Sequence, residues 1–189
     1  MKVTTILGSP KKSGNTAKVL NECEKLLVTQ GNEVERIHVV DYEIRGCQGC
    51  GACQKVTDKP GCVQKDDAEA IFERMMTSDV VIYASPLYGW EFTSQIKPLL
   101  DRHFCLATGF GSPNHSSLLE GKRTALLVTC GGPIEHNADL IQEIFDRVNG
   151  FTKCHIVGKY VVPFCTSDAP GDKATEIAQT MSGDIVGSQ

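Results

Sequence analysis

The sequence lacks the features that mark membrane-spanning, secreted and nucleic-acid-binding proteins. No run of about 18 apolar residues is present to form a membrane-spanning helix. No secretory signal is visible, because Lys11 and Lys12 interrupt a very short apolar start. Positive charge is not in excess either: the net charge of −4 argues against general nucleic-acid binding. We therefore expect a cytoplasmic protein without a membrane or nucleic-acid partner.

Familiar nucleotide- and phosphate-binding signatures are also missing. No Gly-Lys-Ser/Thr follows Gly8 and Gly14, which argues against a P-loop nucleoside triphosphatase. No G-x-G-x-x-G occurs, which weakens a dinucleotide-binding Rossmann interpretation. The loop at residues 8–16 contains neither a cysteine nor an arginine, and a low-molecular-weight phosphatase needs both. An anionic ligand must therefore be held in another way.

The loop at 8–16 has its own phosphate-binding character. It follows an apolar run at 3–7 and leads into an amphipathic helix predicted over 17–30. The first N–H groups of a helix have no partner inside it, and the helix dipole favours negative charge there. Gly14 permits a conformation or a close approach that a Cβ would hinder. Hydrogen bonds can be added by the side chains of Ser9, Ser13, Asn15 and Thr16.

Five apolar strands alternate with five helices along the chain. The strands are predicted at 3–7, 33–40, 79–84, 123–129 and 153–163, and the helices at 17–30, 66–77, 93–106, 138–148 and 172–181. This alternation predicts an α/β fold, a flavodoxin-like three-layer sandwich whose five-stranded parallel sheet has the order 2-1-3-4-5. We expect one domain over 1–189 with a cysteine-rich loop at 41–65. The loops at 8–16, 85–92 and 130–137 then become neighbours at one sheet edge.

Three separated motifs occur in order along the chain: Gly8-Ser9-Pro10 with Gly14-Asn15-Thr16, then Ser85-Pro86-Leu87-Tyr88, then Lys97 with Asp101-Arg102. In combination they resemble the flavodoxin-like NAD(P)H-dependent FMN reductase family, from the first strand to about the fourth. The resemblance implies an FMN-dependent oxidoreductase that takes electrons from NADPH or NADH. It would pass them to a small acceptor such as a quinone or free flavin. No catalytic side chain is expected, because the flavin carries the chemistry.

The resemblance also implies positions for the cofactor. It places the FMN phosphate at Ser9, Lys11, Ser13, Asn15 and Thr16. It places the isoalloxazine ring against Pro86, Leu87, Tyr88, Gly89 and Trp90. The backbone amides of Cys130, Gly131 and Gly132 would approach the polar edge of the ring. Relatives usually complete the flavin slot with a second subunit, which implies a homodimer or larger homo-oligomer, with the loop at 107–121 as a candidate contact.

Four of the nine cysteines lie in the loop at 41–65: Cys47, Cys50, Cys53 and Cys62. Closely spaced thiolates on an irregular loop can converge on one metal centre. The iron–sulfur flavoprotein branch of the family uses a compact motif of this kind to hold a [4Fe–4S] cluster beside FMN. The last gap is longer here and contains Pro60 and Gly61. A [4Fe–4S] cluster, a structural zinc ion and free thiols all remain open.

Two further functions compete with the reductase hypothesis. An electron carrier would exchange electrons between FMN, a cluster and a ferredoxin-like partner. A redox or metal sensor would use the cysteine loop and keep the rest of the fold as a scaffold. Structural roles are expected for the remaining polar candidates: Asp66 with Glu69 as a helix capping box, and Asp101 with Arg102 as ion partners. Small buried hydrophobic roles are expected for Cys23, Cys105, Cys154 and Cys165.

Overall fold

The computed structural model describes residues 1–166 and 171–188. The described residues form these strands: β1 (Lys2–Leu7), β2 (Glu33–His38), β3 (Val80–Pro86), β4 (Ala107–Thr108), β5 (Ser116–Ser117), β6 (Arg123–Thr129) and β7 (His155–Val162). Five of them make one parallel sheet in the order β2-β1-β3-β6-β7. The short strands β4 and β5 pair separately as an antiparallel hairpin. The predicted flavodoxin-like order 2-1-3-4-5 is therefore confirmed for the main strands.

Helices cover both faces of the sheet. They are α1 (Asn15–Thr29), α2 (Ala68–Thr77), α3 (Lys97–Asp101), α4 (Asp139–Thr152) and α5 (Asp172–Gly187). Successive side chains of a strand point to opposite faces, so β3 sends Val80 and Ile82 into the core shared with α1 and α5, and Val81 and Tyr83 into the other core. The continuous apolar run of β3 follows from this double burial. Among the described residues, no helix has the length and apolarity needed to cross a bilayer.

The predicted helix at 93–106 is the largest error in the secondary structure. Its α-helical part is only α3, and the chain continues as a 3₁₀ helix over Arg102–Leu106. Pro98 lies in the first turn of α3, where its missing N–H costs no helical hydrogen bond. The proline therefore marks a helix start, whereas the sequence pattern placed it inside a longer helix.

Candidate functional site

A cleft of about 480 Å³ opens at the carboxyl edge of the sheet, beyond β1, β3 and β6. This volume lies in the usual range for small-molecule and cofactor sites. The lining residues come from four separate loops: Ser9, Lys11, Ser13, Gly14, Asn15, Thr16, Pro86, Leu87, Tyr88, Thr129, Cys130, Gly131, Cys165 and Thr166. All but three of the residues predicted to bind a cofactor line this cleft. The exceptions are Gly89, Trp90 and Gly132.

Gly14 is the N-cap residue that immediately precedes α1, at φ −71° and ψ 178°. This is extended backbone that any residue can adopt, so its glycine is not required by conformation. Space is the requirement instead, since a Cβ at Gly14 would lie 3.2 Å from the Cβ of Lys11. The loop is compact because the backbone N–H of Lys11 donates to Ser9 Oγ at 3.1 Å. His38 Nε2 donates to the Ser9 carbonyl oxygen at 2.8 Å and ties the loop to the end of β2.

Thr16 lines the cleft and also makes a structural contact there, and its predicted contact with the phosphate stays a prediction. Its hydroxyl is buried and lies 2.6 Å from the hydroxyl of Thr129, the last residue of β6. Either hydroxyl can be the donor in this pair. The contact joins the start of α1 to the end of β6 across the floor of the cleft, so Thr16 holds two walls in register.

The second wall of the cleft is the segment after β3. The Leu87 N–H donates to the Thr129 carbonyl oxygen at 2.9 Å. Tyr88 and Glu91 then exchange two backbone hydrogen bonds of 3.1 Å around Gly89 and Trp90, whose φ angles are +55° and +65°. Two central residues with positive φ define a type I′ turn.

Two of the residues predicted to contact the flavin lie in this turn. Gly89 and Trp90 occupy its tip, outside the lining of the cleft. The Trp90 side chain is 58% exposed, and Tyr88 lines the cleft while remaining 51% exposed. A left-handed conformation is costly for a bulky residue, and the two-residue hairpin imposes it on Trp90. The hairpin geometry therefore places Gly89 and Trp90 outside the cleft lining, and their contact with the flavin stays a prediction.

The third wall of the cleft is the segment after β6. The Cys130 N–H donates to the Val162 carbonyl oxygen at 3.0 Å, so this amide is already used by the backbone. Gly132 lies outside the cleft, and its carbonyl oxygen accepts from Phe164 N–H at 3.2 Å. The pairing of β6 with β7 thus continues beyond the strand ends. Of the three predicted amides, only that of Gly131 belongs to a cleft residue and donates no backbone hydrogen bond among the described residues.

Sequence reasoning missed three lining residues: Thr129, Cys165 and Thr166. Thr129 ends β6, and the other two follow β7 at the same edge of the sheet. The rule that ligands bind at the carboxyl ends of parallel strands could have identified them, had it been applied to the last strand. Burial raises the pKa of the Cys130 and Cys165 thiols above the usual value, although hydrogen bonds, from Asn15 in the case of Cys165, act in the opposite direction. Both thiols therefore stay neutral near pH 7.

A second pocket is formed by the cysteine loop and by the 3₁₀ segment after α3. It is lined by Cys47, Gln48, Gly49, Cys50, Gly51, Cys53, Cys62, Val63, Gln64, Arg102, Phe104 and Cys105. We call it the cysteine pocket. All four predicted metal ligands border it, together with Cys105, which was expected to be an ordinary core residue. Cys53 and Cys105 are buried, whereas Cys47 and Cys50 are exposed. In the described part of the chain, no group of three or more His, Cys, Asp or Glu side chains is close enough to hold a metal ion as it stands.

Gly61 allows the two ends of the cysteine loop to meet. A Cβ on Gly61 would lie 2.6 Å from the Cys53 carbonyl oxygen and 2.8 Å from the Val56 Cβ. The Gly61 N–H also faces the Cys105 carbonyl oxygen, at 3.4 Å. The longer gap before Cys62 is therefore accommodated by a close backbone contact that only glycine permits, and Cys62 reaches the same pocket as the first three cysteines.

A buried ion pair holds the wall of the cysteine pocket in place. Arg102 is 1% exposed, and its Nη1 donates to both carboxylate oxygens of Asp66, at 2.7 and 2.6 Å. Arg102 was expected to act as an ion partner, and it does, but its partner is Asp66. Asp101 instead accepts from Lys97 Nζ at the surface, at 2.5 Å.

Asp66 also departs from the predicted capping box. Helix α2 begins at Ala68 after Asp67, and the side chain of Asp67 makes no capping hydrogen bond. The Asp66 carboxylate does accept from the Ala68 N–H, at 3.2 Å, but Glu69 lies 3.8 Å from Lys65. Burial alone would raise the pKa of Asp66, and hydrogen bonds from Arg102, Arg45 and Ala68 lower it below its usual value. Asp66 is therefore an ionised anchor of the pocket wall.

The two sites are joined where the cysteine loop leaves β2. Lys12, in the loop at 8–16 that we call the first loop, forms an ion pair with Asp41 at the start of the cysteine loop. The neighbouring His38 donates to Ser9 in the same first loop. The cysteine loop thus rises beside the first loop, as the strand order predicted.

Fold and cleft together define a class of protein. A parallel sheet of this order, with a polar cleft at its switch point and a helix N-terminus at one end, is a flavodoxin-like α/β protein built to bind a phosphorylated cofactor. A sequence model of the family described as NADPH-dependent FMN reductase matches residues 1–166, and the chain belongs to that family. It is an oxidoreductase and a flavoprotein of that type, with FMN as its flavin and a nicotinamide as electron donor.

Two iron–sulfur flavoproteins are similar in sequence to this chain over most of its length. An iron–sulfur flavoprotein from Archaeoglobus fulgidus is 33% identical over 184 residues, which cover 96% of this chain and 79% of the relative. An iron–sulfur flavoprotein from Methanosarcina thermophila is 35% identical over 162 residues, which cover 86% of this chain and 77% of the relative.

Solved structures share the fold at much lower identity. The NAD(P)H:quinone oxidoreductase from Methanothermobacter marburgensis superposes with a TM-score of 0.70 at 18% identity, covering 96% of this chain and 92% of the other. An FMN-dependent NADH-azoreductase from Bacillus anthracis, solved in complex with FMN, gives a TM-score of 0.70 at 11% identity and covers both chains completely. These likenesses establish the flavodoxin-like fold.

Proposed function

We propose that this chain is an FMN-dependent NAD(P)H oxidoreductase that delivers electrons to a small acceptor such as a quinone or a free flavin. The observation that carries the proposal is the composition of the cleft at the start of α1. Among the described residues that line it, none is an Asp or Glu, and one, Lys11, is a cation. Hydroxyl groups, backbone amides and the helix dipole there all favour an anion.

The cleft changes character from one end to the other, as an FMN molecule does. Its first-loop end is polar and suits the phosphate, whereas Pro86, Leu87 and Tyr88 offer a flatter and more apolar wall to a ring system. When bound, FMN supplies the hydride chemistry, and the protein sets orientation and water access. The chain's own contribution is therefore positional, and no acidic or basic catalyst is required of it.

The phosphate assignment can be tested with a charge placed in the first loop. Ser13→Asp adds a negative charge beside the proposed phosphate, so we expect FMN affinity to fall by roughly tenfold or more, since like charges a few ångströms apart repel strongly. Riboflavin has no phosphate, and its affinity should change much less. Fluorescence titration with each flavin measures both. Ser13 is preferable to Thr16 because the Thr16 hydroxyl is a buried structural contact with Thr129.

Asn21→Asp is the matched control for this experiment. It adds the same charge to an exposed position on α1, outside the cleft. FMN affinity should be unchanged in this variant. Equal losses for FMN and riboflavin in Ser13→Asp, or no loss for either, would show that the first loop does not hold a phosphate.

We further propose that Cys47, Cys50, Cys53 and Cys62 hold a [4Fe–4S] cluster. Three features support this: four thiols border one pocket, relatives covering most of the chain are iron–sulfur flavoproteins, and a buried donor of Arg102 lacks a partner there. Anaerobically purified protein should contain iron and sulfide in stoichiometric amounts and show broad absorbance near the flavin bands. Protein with FMN but without iron would exclude the cluster and leave the reductase proposal intact.

The second candidate function is an electron carrier with a ferredoxin-like partner, which the cysteine pocket favours. The discriminating measurement is the rate at which NADH, NADPH or reduced ferredoxin bleaches the flavin absorbance. Faster bleaching by a nicotinamide supports the reductase, and faster bleaching by ferredoxin supports the carrier. Zinc binding without FMN binding would favour the sensor.

We also propose a homodimer or larger homo-oligomer. The cleft is open to solvent on one side, and the exposed Tyr88 at its rim is suited to contact with a second copy. Sedimentation of the FMN-loaded protein over a range of concentrations measures the oligomeric state. A monomer at all concentrations would refute the proposal.

A further inference from the structure

Arg102 has a hydrogen-bond donor that the fold does not use. The side chain is buried, and its Nη1 is engaged by Asp66. Its Nε has no hydrogen-bond partner among the described residues. Leaving a buried donor unsatisfied destabilises the fold, and it does so more strongly for a charged group. Such a group calls for an explanation, and a missing ligand is one of the usual ones.

The position of Arg102 suggests which ligand this is. Arg102 belongs to the wall of the cysteine pocket, together with Cys53, Cys62 and Cys105. Burial alone would lower the pKa of the Arg102 guanidinium, but hydrogen bonding to Asp66 and the adjacent Cys62 sulfur raise it. The guanidinium group is therefore held between a carboxylate on one side and a sulfur-lined pocket on the other.

A neighbouring polar side chain is of the wrong kind to serve the same ligand. Gln64 also lines the pocket, and its Nε2 donates to the Gly46 carbonyl oxygen at 2.9 Å. Its Oε1, which has no partner among the described residues, is an acceptor. Thiolates and sulfides are electron-rich and accept hydrogen bonds, so the unused donor of Arg102 suits them and Gln64 does not.

We propose that Arg102 is a positioning residue whose Nε–H donates to a sulfur atom of the group held in the cysteine pocket and raises the reduction potential of that group. This inference rests on the proposed [4Fe–4S] cluster. Hydrogen bonds to cluster sulfurs and nearby positive charge both stabilise the more negative, reduced state. Asp66 keeps the guanidinium in place by binding its other end.

Arg102→Lys tests the proposal with the least disturbance of the ion pair. Lysine keeps a positive charge that can reach Asp66, and it places a methylene where arginine has Nε. We expect the equilibrium between reduced and oxidised cluster to shift about tenfold toward the oxidised form, which is about 59 mV for one electron. A potentiometric titration followed by electron paramagnetic resonance measures the potential without reference to enzyme activity.

Arg45→Lys is the matched control. Arg45 lies near the same carboxylate, with Nε 3.8 Å from Asp66 Oδ2, but its side chain is half exposed and does not line the cysteine pocket. The reduction potential of the cluster in the Arg45→Lys variant should equal that of the wild type. If Arg102→Lys fails to fold, the double variant Asp66→Asn with Arg102→Met removes both buried charges together with the Nε–H donor, and its potential should shift in the same direction.

The possible outcomes distinguish failure of this inference from failure of the [4Fe–4S] cluster proposal on which it rests. If the wild type contains no iron after anaerobic purification and reconstitution, the cluster proposal fails and the inference falls with it. If the wild type is loaded and the Arg102 variants keep its potential, the cluster stands and the role of Arg102 is overturned. That second result is also the one expected if Nε merely binds a water molecule.

Discussion

The cleft at the carboxyl edge of the sheet and the cysteine pocket are built in different ways. The cleft is made from the ends of regular elements: the carboxyl ends of parallel strands and the start of α1. Its shape follows from the backbone, and side chains complete it. The cysteine pocket is made from irregular backbone and depends on one buried ion pair between residues 36 positions apart, Asp66 and Arg102. Sites of the first kind are specified by local patterns, and sites of the second kind need long-range contacts.

The buried ion pair of Asp66 and Arg102 should therefore contribute more than any other single contact to the stability of the region around the cysteine pocket. Asp66→Ala leaves Arg102 buried and unpaired, and breaking such a pair costs about 3 to 5 kcal/mol of the free energy of unfolding. Urea denaturation measures the loss. FMN affinity of the folded protein should stay within about twofold, because the cleft does not include this pair.

Asp101→Ala is the control for that experiment. Asp101 and Lys97 form a half-exposed ion pair, and removing such a pair changes stability by less than about 1 kcal/mol. Equal losses of unfolding free energy for Asp66→Ala and Asp101→Ala would show that the buried pair does not anchor the cysteine pocket.

Lowering the pH should destabilise the region around the cysteine pocket through protonation of His103. His103 is buried beside Arg102, donates from Nδ1 to the Leu99 carbonyl oxygen at 2.9 Å, and accepts from the Tyr83 hydroxyl at 2.9 Å. Burial lowers its pKa from 6.5 to about 4. Between these values the unfolded chain takes up a proton that the folded chain does not. Stability should therefore fall by about 3 kcal/mol as pH drops from 6.5 to 4.

Comparison with His103→Gln isolates this contribution. Glutamine can keep a donor and an acceptor but does not titrate, so urea denaturation should show a smaller loss of stability over the same pH range. Identical pH profiles for the wild type and this variant would contradict the assignment.

A smaller effect is expected at Gly61, whose close contact closes the cysteine loop. Gly61→Ala places a Cβ 2.6 Å from the Cys53 carbonyl oxygen, and overpacking of this kind costs about 1 to 3 kcal/mol. Cys53, buried in the wild type, should react faster with a thiol reagent, as measured by peptide mass spectrometry.

Gly46→Ala provides the comparison, since a Cβ there meets nothing within 4 Å. It should leave the reactivity of Cys53 at the wild-type level. The close contact at Gly61 is unimportant if both variants expose Cys53 equally.

The differences between the predicted site and the observed cleft lining have a common physical origin. The helix that follows the loop at 8–16 was predicted from the sequence because a helix start is a local feature. The sequence did not indicate that Trp90 and Gly132 lie outside the cleft lining, because the direction of each depends on backbone pairing: Tyr88 with Glu91, and β6 with β7 beyond the strand ends. Cys105 was missed because its neighbours in the pocket are distant in sequence.

Sequence alone determined the order of the elements, the flavodoxin-like sheet and the helix into which the loop at 8–16 leads. Hydrophobic periodicity and helix-start chemistry act over a few residues, and they are therefore legible in the chain. Tertiary structure decided that Arg102 pairs with Asp66, that Cys105 joins the four loop cysteines, and that a buried donor of Arg102, a residue lining the same pocket, has no partner among the described residues. These outcomes depend on which surfaces meet after folding, because burial selects the partner of a charge and adjacency in sequence does not.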